Sequence, residues 1–442
     1  MMEFQAVVMA AGTGSRMREL TSSIPKCLLP IGNVPLILCS LNLLKKAGFT
    51  EAIILVRENE KNKIQNAIEN KIDMKLDIVA VPKNEDWGTA DSLRYVKSKI
   101  KSDVLVLSCD IVSDFDLKDM LFSHRSKHSS LTMLLVPFPN SLREIEMPGY
   151  KKKCKFERDI IGLDSTDRLI FINSEADFED GVPLKLALMK KNPLINIFSN
   201  LMDAHVYIIK RDLVQFIVSN EHISTLKGEF LPVAVKQQFT SKKRSQGIET
   251  NDGPLGKTIL NKEFIDLDKL ALELSSWRDP SNYSKSCMET EERCFAYIDK
   301  VTFCYRINTL VAYANINRKL MKYFTSITGT QPKSHQYQKS QVDANSILGE
   351  NCELLVKSSV KQSVVGNNAK LSEKAKIHNT IVMESVQIGK DCVVQNSIIC
   401  NHAVIEDACS LKNCIIGPEQ IVKTSSKLNS EILQCSDQLM EI

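Results

Sequence analysis

The chain has 442 residues, 43% apolar and 25% charged, the composition of an ordinary folded protein with room for two or three domains. Its net charge of +4, from 57 basic and 53 acidic residues, does not point to nucleic acid as the main partner, and no apolar run is long enough to span a bilayer. Thirteen cysteines without a Cys-x-x-Cys pair argue against zinc and fit a reducing cytosol, and Glu3 does not suit a signal peptide.

In chain order, Phe4–Ala10 reads as a buried strand, followed directly by the loop Ala11-Gly12-Thr13-Gly14-Ser15-Arg16-Met17. A helix is predicted from Pro35 to Ala47, with Asn33 near its cap and Gly48 just past its end. Strand Ala52–Val56, a polar helix Glu60–Glu69, strand Leu76–Val81, a helix after Gly88-Thr89-Ala90 and strand Val104–Ser108 follow. Strands alternating with helices predict a parallel, helix-covered sheet, in which ligands bind at the carboxyl ends of strands. Two polar sites fall there. Gly12 and Gly14 let the backbone approach phosphate oxygens, Arg16 offers a planar cation, and Pro25-Lys26 and Pro30 come soon after. Asp110, just past a buried strand, is placed either to bind magnesium or to close a turn. The basic runs 151–155 and 242–244 read as solvated loops.

From 236 to 340 the pattern is less regular. Residues 240–257 read as a flexible loop, Lys262–Trp277 as a helix, Cys294–Cys304 as strand-like, Ile307–Phe324 as helical and Thr328–Gln341 as a polar linker. Then the chain repeats. Apolar anchors recur at Leu348, Leu354, Val360, Val365, Leu371, Ile377, Val382, Ile388, Val394, Ile399, Ile405, Leu411 and Ile416, in steps of six, six and five. A 17-residue period with small residues four past most anchors predicts three short strands per turn, stacked as a triangular prism. Val364, Ile381, Ile398 and Ile415 stand out as larger residues at that position. Gly349, Gly366, Gly389 and Gly417 are expected at bends, and His378 and His402 at solvated corners. The expected domains are 1–235, a connecting segment 236–340, the repeat 341–422 and a tail 423–442.

The repeat resembles the hexapeptide-repeat left-handed parallel β-helix of acyltransferases and sugar-nucleotide enzymes. Residues 4–235 resemble the α/β nucleotidyltransferases that make sugar nucleotides, whose Rossmann-like domain has a mixed sheet. Gly12, Gly14, Ser15, Arg16, Pro25 and Lys26 match that family's loop, and Gly88-Thr89-Ala90 its base-recognising segment. The resemblance implies nucleotide-phosphate contacts for Gly12, Gly14, Arg16, Lys26, Gly88 and Thr89, and magnesium on Asp110. Three departures stand against turnover: Cys109 for the Gly before the metal Asp, His205 in the sugar-side segment Asp203-Ala204-His205, and no Asp after Glu229. No required cofactor is expected; nucleotide with magnesium is the possible one. Across the whole chain, the segments Leu20–Lys26, Gly88–Tyr95, Val104–Asp110 and Asp437–Ile442 resemble the gamma-subunit family of translation initiation factor 2B. That resemblance implies a cytosolic, non-exchanging subunit of the guanine-nucleotide exchange factor for initiation factor 2. Its partners would be the epsilon subunit and the other subunits of that complex, with initiation factor 2 as the complex's substrate and neither nucleic acid nor membrane bound. Because the sequence ends soon after its last anchor, the resemblance implies that the further helical domain with which epsilon performs exchange is not expected here. The alternative is a sugar-nucleotide pyrophosphorylase.

Overall fold

The computed structural model describes residues 3–69, 71–82, 87–139, 148–150, 158–177, 189, 194–239, 292–299, 303–330 and 340–434. The basic runs 151–155 and 242–244, the loop 240–257, the helix expected at 262–277, most of the linker and the last eight residues fall wholly or mainly outside them.

The first domain is built on a seven-stranded sheet. Its spatial order is Cys294–Ile298, Leu131–Pro137, Leu201–Ile209, Asp103–Ser108, Phe4–Met9, Glu51–Arg57 and Lys75–Val81. The strand Phe4–Met9 lies parallel to both neighbours, with Val7 opposite Ile53 and Val106. Alternate side chains of a strand point to opposite faces, and here both faces are covered. Val7, Leu55 and Val106 pack beneath Leu213 and Phe230. Val8, Ile54 and Leu107 pack beneath Leu41, Leu44 and Met120 on the other side. Leu201–Ile209 runs antiparallel to its two neighbours, which makes the sheet mixed.

The helices Leu36–Lys46, Lys61–Ile68 and Thr89–Tyr95 lie where the apolar spacing placed them. Gly48 ends the first with φ +92°, its backbone N–H donating a hydrogen bond to the Lys45 carbonyl. The cap position is Pro35, not Asn33. Asn33 sits in a tight turn with φ +68°, and its Nδ2 donates to the Val365 carbonyl at 2.8 Å. Among the described residues no helix is long and apolar enough to cross a membrane.

The boundary expected at 235 needs correction. Cys294–Ile298 joins the sheet beside Leu131–Pro137, and Cys304–Arg306 pairs antiparallel with Ile111–Ser113. Both strands come from the stretch taken as a connector, because pairing across more than 150 residues leaves no trace in local periodicity. The expected helix begins later, at Leu310, and runs to Lys319, followed by the 3-10 turn Leu320–Tyr323 and the short helix Phe324–Thr328.

The repeat forms three parallel sheets whose strands pair in steps of 17 residues: Val360 lies opposite Ile377, and Ile377 opposite Val394. All the predicted anchors are buried except Leu354, which is half-buried at the open end. Two expectations are corrected. The stack does not stop at 422. Val422, Leu428 and Leu433 continue the anchors, pairing with Ile405, Leu411 and Ile416. Their in-phase aliphatics were masked by polar outward neighbours such as Lys423, Lys427 and Asn429. The corners are also not made by glycine. Left-handed φ values fall on non-glycine residues including Asn368, Lys374, Asn379, Asp391, Asn396 and His402, again in steps of five and six. Gly366 is required for a different reason: a Cβ there would lie 2.5 Å from the Met383 backbone in the next turn. His402 occupies a corner as expected, whereas His378 is an exposed strand residue.

One face of the prism is aliphatic on its outside. Ile347, Val364, Ile381, Ile398 and Ile415 point outward yet are buried. They pack against Leu310, Tyr313 and Ile316 of the helix 310–319, and against Met17, Leu20 and Leu36 of the first domain. That contact is the core between the two regular regions, and it accounts for the larger residues noted at these positions in the repeat.

Candidate functional site

The Gly-rich loop leaves the strand Phe4–Met9 and is exposed from Gly12 to Arg16, except for half-buried Gly14. Gly14 has φ +70°, and a Cβ there would stand 2.7 Å from the Thr21 methyl. Gly12 faces open space, with nothing within 4 Å of a Cβ position. Arg57 steadies the loop by donating from Nε to the Ala11 carbonyl at 3.1 Å. Arg16 lies exposed on the single turn Ser15–Met17, whose Met17 is buried in the contact with the prism.

Asp110 ends the turn after Asp103–Ser108, and its side chain is only 2% exposed. Lys26, at the start of a short 3-10 turn behind Pro25, reaches Asp110 Oδ2 at 2.5 Å. Arg306 reaches the same carboxylate from the other side, its Nε 3.3 and 3.2 Å from the two oxygens. The pairing of Ile111–Ser113 with Cys304–Arg306 carries it there, helped by a bond from the Ile307 amide to the Asp110 carbonyl. Burial by itself would raise the Asp110 pKa, but Arg306 and then Lys26 hold it well below the usual carboxylate range. Desolvation is the largest single influence and works against the Arg306 charge, but Asp110 together with Asp203 and Tyr207 outweighs it, so its pKa is raised.

The sugar-side segment lies at an irregularity in Leu201–Ile209, where pairing with Leu131–Pro137 shifts between Asp203 and Tyr207. His205 sits in that bulge with φ +55°. Its amide donates to Asp203 Oδ1 at 2.8 Å, and the Tyr207 hydroxyl donates to Asp203 Oδ2. Burial, and next the Arg306 charge, push the imidazole pKa well below its usual value, so the ring is neutral. Its Nε2 is buried without a hydrogen-bond partner among the described residues. Lys227 pairs with Asp159 at 2.9 Å nearby, and desolvation outweighs Lys227 in raising the Asp203 pKa.

Gly88 and Thr89 are taken up by another part of the chain. A Cβ on Gly88 would lie 2.2 Å from the Ser224 carbonyl oxygen. That oxygen accepts from the Ala90 amide at 2.8 Å, and Thr89 Oγ1 accepts from the Leu226 amide at 2.8 Å. Glu229, after which the family's second carboxylate is missing, accepts from the amide of Thr225 at 3.0 Å and from that of Ser224. It caps a turn.

The structure thus brings Lys26 and Asp110 together and leaves Gly88 and Thr89 bonded to the segment Ser224–Leu226. Sequence reasoning missed Arg306, which sits between two predicted elements with no motif around it. Magnesium demands near-octahedral oxygen coordination. Both oxygens of Asp110 face cations, and among the described residues no group of three or more His, Cys, Asp or Glu could hold a metal. The residues present do not fit a magnesium site on Asp110. The neighbouring thiol of Cys109 is raised to about 12, chiefly by burial, so it is a filler without nucleophilic character.

A nucleotidyltransferase-type sheet joined to a β-helix is the class these features define. Residues 5–144 match the family described as "Nucleotidyl transferase", and residues 330–432 match "EIF2B subunit epsilon LbH domain", which makes the prism a left-handed β-helix. Among individual proteins, the chain is similar to gamma subunits of translation initiation factor eIF2B. It is 32% identical to that of Caenorhabditis elegans over 245 residues, covering 54% of this chain and 59% of the relative. It is 27% identical to that of Dictyostelium discoideum over 393 residues, covering 82% and 87%. A mannose-1-phosphate guanyltransferase of Debaryomyces hansenii is 23% identical over 242 residues, covering 54% of this chain and 63% of the relative. The matched stretch is therefore less than two thirds of the C. elegans protein.

Proposed function

We propose that this chain is a non-exchanging subunit of the guanine-nucleotide exchange factor for initiation factor 2, acting in the cytosol with an epsilon subunit that carries the exchange site. The observation that carries this reading is the similarity to a gamma subunit across both domains, 82% of the chain. Its own nucleotidyltransferase chemistry is taken as lost. Supporting this, the carboxylate that would hold the metal is neutralised by Lys26 and Arg306, and His205 occupies the sugar-side bulge. The other subunits of the complex are its further partners, and neither nucleic acid nor membrane is required. The largely exposed loop Gly12–Arg16 is the part of the site that would meet a nucleotide phosphate, without a metal on Asp110. Gly88 and Thr89 would join such a site only if the Ser224–Leu226 segment moved away.

Co-expression with an epsilon subunit tests the assembly, with GDP release from initiation factor 2 as readout. The pair should co-purify and exchange faster than epsilon alone; separate elution with no stimulation would refute the reading. The second reading, a sugar-nucleotide pyrophosphorylase, draws on the Gly-rich loop and the guanyltransferase similarity. Pyrophosphate release from nucleotide, sugar phosphate and magnesium, abolished by Asp110→Ala, would establish it instead.

A further inference from the structure

The three outer faces of the prism differ in chemistry. One is the aliphatic face already described. The second carries mixed residues, with Glu353, Lys370, Gln387 and Val404 pointing outward. The third is basic. Its strands are Gln341–Val342, Ser359–Lys361, Lys376–His378, Val393–Gln395, Ser410–Lys412 and Lys427–Asn429, in that spatial order. With Val360, Ile377, Val394 and Leu411 pointing inward, the neighbours on each strand point out. Lys361, Lys376, His378, Lys412 and Lys427 are exposed on this face, and no strand residue of the sheet is acidic. None of the four lysines has an ion pair among the described residues, whereas Lys370, Lys374 and Lys390 elsewhere on the prism pair with Glu353, Asp391 and Glu373. The first turns of the face form a shallow groove of about 520 Å³ bordered by Lys357, Lys361, Lys376, His378 and Gln395. Ser358, also on the groove, has a buried hydroxyl with no hydrogen-bond partner among the described residues.

We propose that this face is a docking strip for an extended acidic peptide of a partner protein. The dimensions favour a single polypeptide strand. Six strands about 4.8 Å apart give a strip roughly 24 Å long, and strands of three residues make it about 10 Å wide. An extended chain of about seven residues has that length. Unpaired cations without intervening acids supply the complementary charge. The outward positions hold no Trp, Tyr or Phe on which bases could stack, and the cations are lysines without arginine, which favours carboxylates over single-stranded nucleic acid. The proposal stands on the β-helix alone and is independent of the exchange-factor reading.

The test uses the full chain and a fluorescein-labelled hepta-glutamate peptide, read by anisotropy. Binding should weaken at least tenfold between 50 and 200 mM salt. The variant Lys361→Gln/Lys376→Gln/Lys412→Gln/Lys427→Gln should bind at least tenfold more weakly. Lys370→Gln/Lys374→Gln/Lys390→Gln, on other parts of the same prism, should stay within twofold of the parent. All replaced residues are exposed, so both variants should melt with the parent; Lys376→Glu alone, expected to weaken binding severalfold, guards against a multiple variant that does not. No binding at millimolar peptide, an equal loss in the control variant, or tighter binding of a uridine decamer than of the peptide would overturn the proposal.

Discussion

The Lys26–Asp110–Arg306 cluster makes a prediction whose order follows from who is left unpaired. Asp110→Asn removes the carboxylate that pairs with two cations, Lys26 and Arg306, which are 12% and 18% exposed. Breaking a buried charge set in this way costs about 3–5 kcal/mol. Lys26→Gln leaves Asp110 with both contacts to Arg306, and Arg306→Gln leaves it with Lys26 at 2.5 Å. Each of these loses one charge-assisted interaction, about 1.5–3 kcal/mol. The order of damage should be Asp110→Asn first, then either cation variant, with the triple variant Lys26→Gln/Asp110→Asn/Arg306→Gln less damaged than Asp110→Asn alone. Urea midpoints at constant m-value measure this directly. The pH dependence has a fixed sign. Because the folded carboxyl titrates below its unfolded value of about 3.9, its contribution is complete above that pH and fades as pH falls below it. Asp110→Asn should flatten that acid limb. A cost under about 1 kcal/mol for Asp110→Asn, or one smaller than for either cation variant, would refute the charge-lock argument.

Three further outcomes are expected. His124 is a buried base whose pKa is lowered to about 4, mainly by burial, with Nδ1 2.8 Å from Thr132 Oγ1. The unfolded chain therefore binds a proton that the folded one refuses, and stability should fall as pH drops from about 6.5 towards 4, by about 3 kcal/mol for this group. His124→Phe should flatten urea midpoints across that window, and an unchanged slope would contradict the assignment. Ile398→Ala, in the aliphatic outer face, should cost about 2–4 kcal/mol and expose protease sites between the two regions; a loss below about 0.5 kcal/mol would mean the face is not a core. Gly366→Ala should destabilise the prism by about 1–3 kcal/mol, seen as a lowered melting midpoint, whereas a neutral substitution would deny the close approach to Met383.

What could be read from the sequence tracks how far each interaction reaches along the chain. The prism was legible because its anchors obey a local rule: each turn repeats the last 17 residues on, so inward aliphatics keep phase even with one sequence in hand. The end of the stack was misplaced because Val422, Leu428 and Leu433 keep that phase among polar outward neighbours. The corners carried no glycine to mark them. Asn, Asp and His tolerate left-handed φ better than most residues, but Lys374 and Glu419 adopt it too, held by the stack rather than by preference. At the candidate site, Lys26 was found because Pro25-Lys26 follows the Gly-rich loop at short range, and Asp110 because it lies just past a buried strand. Arg306 was not, since its role depends on a strand pairing across nearly 200 residues.

The same long-range pairing ties the site to the prism. Cys304–Arg306 places Arg306 on Asp110, and Ile307 and the helix that follows pack against the aliphatic outer face. The Gly-rich loop is tied there as well, through Met17 and Leu20. One stretch of chain therefore fills the charge site at one end and the interdomain core at the other. Displacing Arg306 from Asp110 would strain the strand pairing that leads into that core, and loosening the core would free the strand that carries Arg306. Such a coupled arrangement is suited to holding two domains in a fixed relation.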